Sequence, residues 1–340
     1  MPTLRELGEL QIIRILERRL QTKKHAVVGF NDDVSAVRLT RGKVAVLKTD
    51  MLVGSTDVPL GMTMRQAARK AVVANVSDLA AKGVRPLAGL VALGLPTRLT
   101  NHDVRDIAVG LHDASREYRF PIVGGDTNES EDLTISIALF AIADRKQLVL
   151  RAGTEPGDVV AVTGMFGDTS AGLRGLLEKG IRPDRLTKPL YDAVFRPRAQ
   201  LELGLRLARS GALTASIDSS DGLALSLHEL SSANHMGIMI DHVPVSKAAA
   251  QFAARYGYDG KTLALYGGEE YHLVVTVKRE KLALARRAAR GNMIPIGIAT
   301  RKLKGVRLNK AGRAVQIPRR GWQHFQSRLG GDLVRMNDEG

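Results

Sequence analysis

The stretch at 62–86, MTMRQAARKAVVANVSDLAAKGVRP, restricts the fold more than any other part of the chain. Thr63 followed by Gln66 makes a capping box, and Gly83 with Pro86 behind it reads as a helix stop. Between these signals the residues are small or apolar around nearly the whole circumference, which places the helix in an interior. Asp78 shares a face with Ala67, Ala71 and Ala74, at spacings of four, three and four. A buried carboxylate without a partner is costly, so Asp78 must be protonated, paired with a cation or bound to metal. The alanines beside it let another backbone or a ligand come close. Alone, a buried Asp on a helix is more often a structural hydrogen-bonding residue than a ligand. The other aspartates shift that balance.

Strands and helices alternate on both sides of this helix. An amphipathic helix is expected over 4–20, with Leu7, Leu10, Ile13 and Leu16 along one side. AVVGFNDDVSAVRL gives a short strand, a turn at Asn31-Asp32-Asp33 and an alternating strand; KVAVLKTDMLV is a further strand with Thr49-Asp50 near its end. PLAGLVALGLP reads as a strand, 101–118 as a helix, and FPIVGGDTN and LTISIALFAIA as strands. This alternation defines an α/β protein. The polar run DRKQLVLRAGTEPGD, ending in a Pro-Gly turn, sets a boundary between an N-terminal domain, 1–145, and a C-terminal domain, 146–330. In the second, 181–200 reads as a long basic connection. IDSSDGL is a strand-to-helix turn, LYGGEEYHL a Gly-Gly turn feeding a strand, and RKLKGVRLNKAGRAVQIPRR a basic hairpin. The residues after Phe325 are expected to fray.

With 340 residues the chain can bury two cores. It has no cysteine, which excludes disulfides, thiolate zinc sites, iron–sulfur clusters and cysteine nucleophiles. No apolar run spans a membrane and no signal-peptide pattern opens the chain, so a cytoplasmic protein is expected. The net charge of +15 suits nucleic acid or an anionic small molecule. Aromatic residues for stacking bases are scarce and the charge is spread over the chain, which favours a solvated basic surface over nucleic acid.

The chemistry lies in Asp32, Asp33, Asp50, Asp78, Asp126, Asp218 and Asp221, read as sitting in Gly- or Ser-rich turns at strand ends, Asp78 excepted. Each could be a cap or turn former. In α/β folds, however, strand ends are where ligand sites collect. Seven converging carboxylates require cations, and hard oxygen ligands without His or Cys point to Mg²⁺ beside a phosphorylated ligand. The P-loop, the dinucleotide fingerprint, the protein-kinase set and H-E-x-x-H are all absent. The residues alone therefore reach a Mg²⁺-dependent enzyme of phosphorylated ligands.

Seven motifs in order carry a resemblance: VGFNDDVSAV at 28–37, Thr49-Asp50, VANVSDLAAKG at 73–83, VGGDT at 123–127, RAGTEPGD at 151–158, IDSSDGL at 217–223 and LYGGEEYHL at 265–273. The chain resembles the thiamine-monophosphate kinases, in the superfamily of aminoimidazole ribonucleotide synthetase. The resemblance implies a two-domain synthetase-like architecture, with an N-terminal domain that pairs in a homodimer barrel and a C-terminal α/β domain with a mixed sheet. It implies direct phosphoryl transfer from ATP to thiamine monophosphate. By motif, Asp33, Thr49, Asp50, Asp78, Asp126, Asp218 and Asp221 would hold Mg²⁺. Gly125, Asp126, Arg151 and Ser220 would meet ATP. Asp57, Glu269 and Trp322 would face the substrate, while Asp50, Asp126 and Arg151 carry the catalysis. The chain departs from the pattern at Asn31, where a Gly is usual, at Lys48, where a small hydroxyl is frequent, and at Asp57, where many relatives have His. A related small-molecule kinase or synthetase, a nucleotide-binding regulator without turnover, and an RNA-binding protein using the hairpin at 301–320 are the alternatives.

Overall fold

The computed structural model describes residues 3–20, 26–30, 32–178 and 181–325. Asn31, the side chain of Leu10 and the residues after Phe325 lie outside these. The first half runs α1 (Leu4–Leu20), β1 (Ala26–Val28), β2 (Ser35–Thr40), β3 (Lys43–Val53), the single turn α2 (Gly54–Asp57) and α3 (Met64–Ala81). It continues through β4 (Ala88–Leu95), α4 (Asn101–Tyr118), β5 (Ile122–Glu129) and β6 (Thr134–Asp144). These strands form one sheet in the order β1-β2-β3-β6-β4-β5, with β4 and β5 parallel and the other neighbours antiparallel.

The second half comprises β7 (Val159–Val162), α5 (Asp168–Leu177), α6 (Thr187–Phe195), α7 (Leu201–Arg209), β8 (Leu213–Asp218) and α8 (Leu223–Asn234). Then come β9 (Gly237–Ile240), α9 (Lys247–Tyr256), α10 (Gly260–Tyr266), β10 (Leu273–Val277), α11 (Leu282–Ala288), β11 (Ile294–Thr300), β12 (Val306–Lys310) and β13 (Arg313–Gln316). Its sheet has the order β13-β12-β9-β11-β7-β10-β8 and is mixed, with β9 and β12 parallel. The fold is thus α/β with two mixed sheets.

α3 forms as its sequence requires. Thr63 accepts from the Gln66 amide, Gln66 returns the bond, and Gly83 follows with φ 68°. Val72, Val76 and Leu79 share a core with Val44, Val46, Ile135 and Ile137 of the first sheet. On its other sides α3 touches α4, α7 and β8. Two glycines permit this closeness: a Cβ on Gly110 of α4 would lie 2.2 Å from the Arg65 carbonyl oxygen, and one on Gly204 of α7 would lie 2.0 Å from that of Ala80. Most of the helix is small or apolar because both halves of the protein pack on it.

Three expectations need correction. The connection at 181–200 contains α6, whose first turn is held by Asp184 accepting from the Leu186 and Thr187 amides, with Pro189 tolerated early in the helix. A helix also precedes the Gly-Gly turn: Asp259 caps α10 by accepting from the Thr262 amide. α1 is broken at Gly8 (φ 67°, ψ 165°), and Leu16 is exposed, not set on a buried face.

Candidate functional site

Asp50 and Asp126 do not sit in turns. β3 continues past Asp50 to Val53, paired along its whole length with β6, and Asp126 lies in the middle of β5. β2 begins at Ser35, opposite Leu47, so among the described residues the far part of β3 has no strand on that side. Asn75 of α3 takes the place of a strand there: its Oδ1 accepts from the Asp50 N–H at 2.8 Å and its amide donates to the Asp50 carbonyl at 3.4 Å. Strand alternation puts Lys48 and Asp50 on the face toward α3, and Thr49 and Met51 on the opposite face.

Three of the seven aspartates converge closely. One oxygen each of Asp33, Asp78 and Asp218 lies within 4.8 Å of the other two, and all three residues are buried. Asp218, at the end of β8, accepts from Ser77 Oγ of α3 at 2.6 Å, joining the two sheets at this point. Lys82, fully buried, directs its ammonium to Asp32 (2.7 Å), Asp33 (2.9 Å) and the Ser216 carbonyl oxygen (2.6 Å). Its three donors are thereby used. Arg151 also grips Asp33, its Nε 2.6 Å from Oδ1, and its backbone N–H donates to Asp32 at 2.9 Å. Lys48 bridges Asp50 (2.9 Å) and Asp78 (2.7 Å).

Three fixed cations thus stand among Asp32, Asp33, Asp50, Asp78, Asp218 and Asp221, and the excess of carboxylate has visible effects. Burial pushes Asp218 up to about 6, with Asp33 adding to it, and Asp221 up to about 7, with Glu9 and Asp218 adding to it. Burial also raises Asp78, and Asp218, Asp50 and Asp33 reinforce the rise against the pull of Lys48. Asp33 differs: Lys82 and Arg151 outweigh its burial and hold it below the usual carboxylate range. Hard oxygen donors at this spacing, with negative charge unbalanced, fit a divalent ion of the Mg²⁺ type at Asp33, Asp78 and Asp218. Between Asp50 and Asp78 the fit is different, because an ammonium is already there.

Thr49 and Asp126 are not brought to this cluster. Asp126 pairs in register with Ala92, Ser136 and Met51, on the face of the first sheet turned away from α3. Three strand spacings, about 14 Å between Cα atoms, separate Asp126 on β5 from Met51 on β3, the neighbour of Asp50. Gly125 beside it has no room for a side chain: a Cβ would lie 1.7 Å from the Val91 carbonyl oxygen. The face carrying Thr49 and Asp126 also exposes Leu47, Met51, Leu90 and Ile142.

A second group adjoins the cluster. Trp322, half exposed, donates its backbone N–H to the Asp221 carbonyl at 3.0 Å. Glu269 has φ 65°, and its N–H donates to the Ser220 carbonyl at 2.6 Å. Lys70, buried on α3, pairs with Glu269 and donates to the Asp57 carbonyl at 2.7 Å. The Asp57 carboxylate turns back to accept from the Val53 N–H at 2.7 Å. Lys70, Lys82, Asn75 and Ser77 were missed as site residues. For Lys70 the available signal was a lysine within a largely apolar helix; Lys82, at the helix end, gave none.

Such a cluster, set where one long helix joins two mixed sheets, defines a class. Residues 31–143 match the family model of the AIR synthase related protein, N-terminal domain. Within that class the chain is 35% identical over 324 residues to the thiamine-monophosphate kinase of Nitrosopumilus maritimus (strain SCM1), covering 94% of this chain and 99% of the relative. It is 33% identical to that of Pyrococcus abyssi, covering 87% and 91%. The solved structure of AaThiL complexed with AMPPCP and TMP superposes with a TM-score of 0.84 at 29% identity, covering 95% of this chain and 99% of that one. The chain belongs to the thiamine-monophosphate kinase family.

Proposed function

We propose that the chain transfers the γ-phosphoryl group of ATP to thiamine monophosphate, giving thiamine diphosphate and ADP. The observation that carries this reading is the buried cluster between the two sheets, where carboxylates outnumber fixed cations. Family membership and the AMPPCP and TMP of the AaThiL structure support it. Asp33, Asp78 and Asp218, with Asp221 beside them, would hold Mg²⁺. Bound there, the metal would neutralise phosphate charge. Arg151 and the Ser219-Ser220-Asp221 turn would orient the nucleotide, and Trp322 and Glu269 the thiamine part, so that positioning and electrostatics supply the catalysis.

Two domains, 1–145 and 146–330, would form the two walls of the cleft. Pairing of two copies through the open face of the first sheet would cover Leu47, Met51, Leu90 and Ile142 and bring Thr49 and Asp126 into the assembly. Among the described residues no helix is long and apolar enough to cross a membrane.

The test is ATP-dependent conversion of thiamine monophosphate, followed by the appearance of thiamine diphosphate and ADP. It is run in parallel with unphosphorylated thiamine. Turnover of thiamine monophosphate that stops with a chelator is expected. Absence of product, or equal use of thiamine, overturns the assignment.

A further inference from the structure

Lys48 sits where a mobile ion would otherwise be needed. On β3, residues two apart point the same way, so Lys48 and Asp50 share the face toward α3, and Asp78 meets them from that helix. The ammonium lies 2.9 Å from an Asp50 oxygen and 2.7 Å from Asp78 Oδ2. The lysine side chain is only 14% exposed and the Asp78 side chain only 10%. A divalent ion shared by these two oxygens would need contacts of about 2.1 Å to each. It would therefore claim the volume the ammonium occupies, and the two cations would repel at close range.

We propose that Lys48 is a built-in cation of the site, standing in for one divalent ion between Asp50 and Asp78. The chain then takes up divalent ions only on the Asp33, Asp78 and Asp218 side of the cluster. This rests on the reading that Mg²⁺ serves the reaction. A tethered ammonium differs from an ion in two respects: it cannot be lost by dilution, and it carries one charge with no exchangeable water. Asp50 and Asp78 thus share one positive charge at any Mg²⁺ concentration, and the helix carrying Asp78 is tied to the strand carrying Asp50 before a ligand arrives.

The test counts bound Mn²⁺ per chain from the electron paramagnetic resonance signal of the free ion, with the metal alone and again with AMPPCP. Lys48→Ser is expected to bind one ion more than the wild-type chain, and Lys48→Arg the wild-type number. Equal counts in wild type and Lys48→Ser overturn the proposal. The wild-type count tests the underlying reading separately: a wild-type chain that takes up no Mn²⁺ would refute the Mg²⁺ assignment even if Lys48→Ser gained an ion. Should Lys48→Ser fail to fold, wild-type crystals grown with Mn²⁺ decide. Anomalous density bridging Asp50 and Asp78, with the lysine swung aside, overturns the proposal; an ammonium in place with no such density there upholds it.

Discussion

Replacing Lys82 with methionine keeps the length of the side chain and removes the charge. The native ammonium is fully buried and bonds Asp32, Asp33 and the Ser216 carbonyl oxygen. After substitution Asp33 retains Arg151, but Asp32 keeps only backbone N–H partners, those of Asp33 and Arg151. Removing one partner of a buried ion pair costs about 3–5 kcal/mol. For a chain of this size, whose unfolding entropy is about 0.7 kcal/mol/K, that lowers the melting temperature by roughly 4–7 °C. The sign of the pH dependence follows from Asp33. Its pKa is depressed in the folded protein, so its pairing contributes stability above the unfolded value of 3.8 and loses it as the pH falls. The gap between wild type and Lys82→Met should therefore narrow in acid. Adding Asp32→Asn to Lys82→Met should recover part of the loss, since one uncompensated carboxylate is removed. Urea and thermal unfolding of the four proteins in the cycle provide the measurement. A loss below about 1 kcal/mol at neutral pH would refute the buried triad of Lys82, Asp32 and Asp33.

Asp78→Asn should abolish the stabilisation by Mg²⁺ and ATP together, about 2.7 kcal/mol at a hundredfold excess over Kd, measured against the variant's own metal-free melting point; a full ligand-induced shift in the variant would remove Asp78 from the site. If Asp126 acts across a pairing of two copies, co-expressed Asp126→Asn and Asp78→Asn chains, each inactive alone, should together regain about a quarter of the wild-type rate, because half the dimers are mixed and hold one intact site. Failure to complement would place Asp126 in the service of its own chain. Glu270 caps α5 from a distance, accepting from the Gly167 and Thr169 amides, and burial, with Asp168 adding to it, lifts it to about 7. Its raised value means stability that is whole below pH 4.5 and is lost as the pH rises through about 7, on the order of 3 kcal/mol at most. Glu270→Gln should flatten that part of the stability–pH curve, and an unchanged slope in urea titrations would show that Glu270 is ionised when folded.

What could be read in the sequence was whatever depends on neighbours along the chain. The capping box of α3 and the glycine that stops it are local patterns, and they form as such. Lys82 was not legible, because a lysine near a helix end ordinarily reaches solvent; its burial is decided by β8 and the Asp32-Asp33 turn, which are distant in sequence. The cap of α5 was hidden for the same reason, since its acceptor, Glu270, lies about a hundred residues away. Asp126 illustrates the converse. Its motif was conspicuous, and GGDT looked like a turn, yet Gly125 serves the close pairing of β5 with β4. Which face a strand residue presents depends on the register of the whole sheet, and no local pattern gives it.

The amide of Asn75 has a consequence for how the protein assembles. Since among the described residues no strand lies beside the outer part of β3 on the side away from β6, the Asp50 N–H is protected only while α3 is docked. Helix docking and completion of the strand are then a single event, not two. The exchange rate of that one amide with solvent would read out how often the helix lifts from the sheet, without a ligand, a label or any measurement of activity.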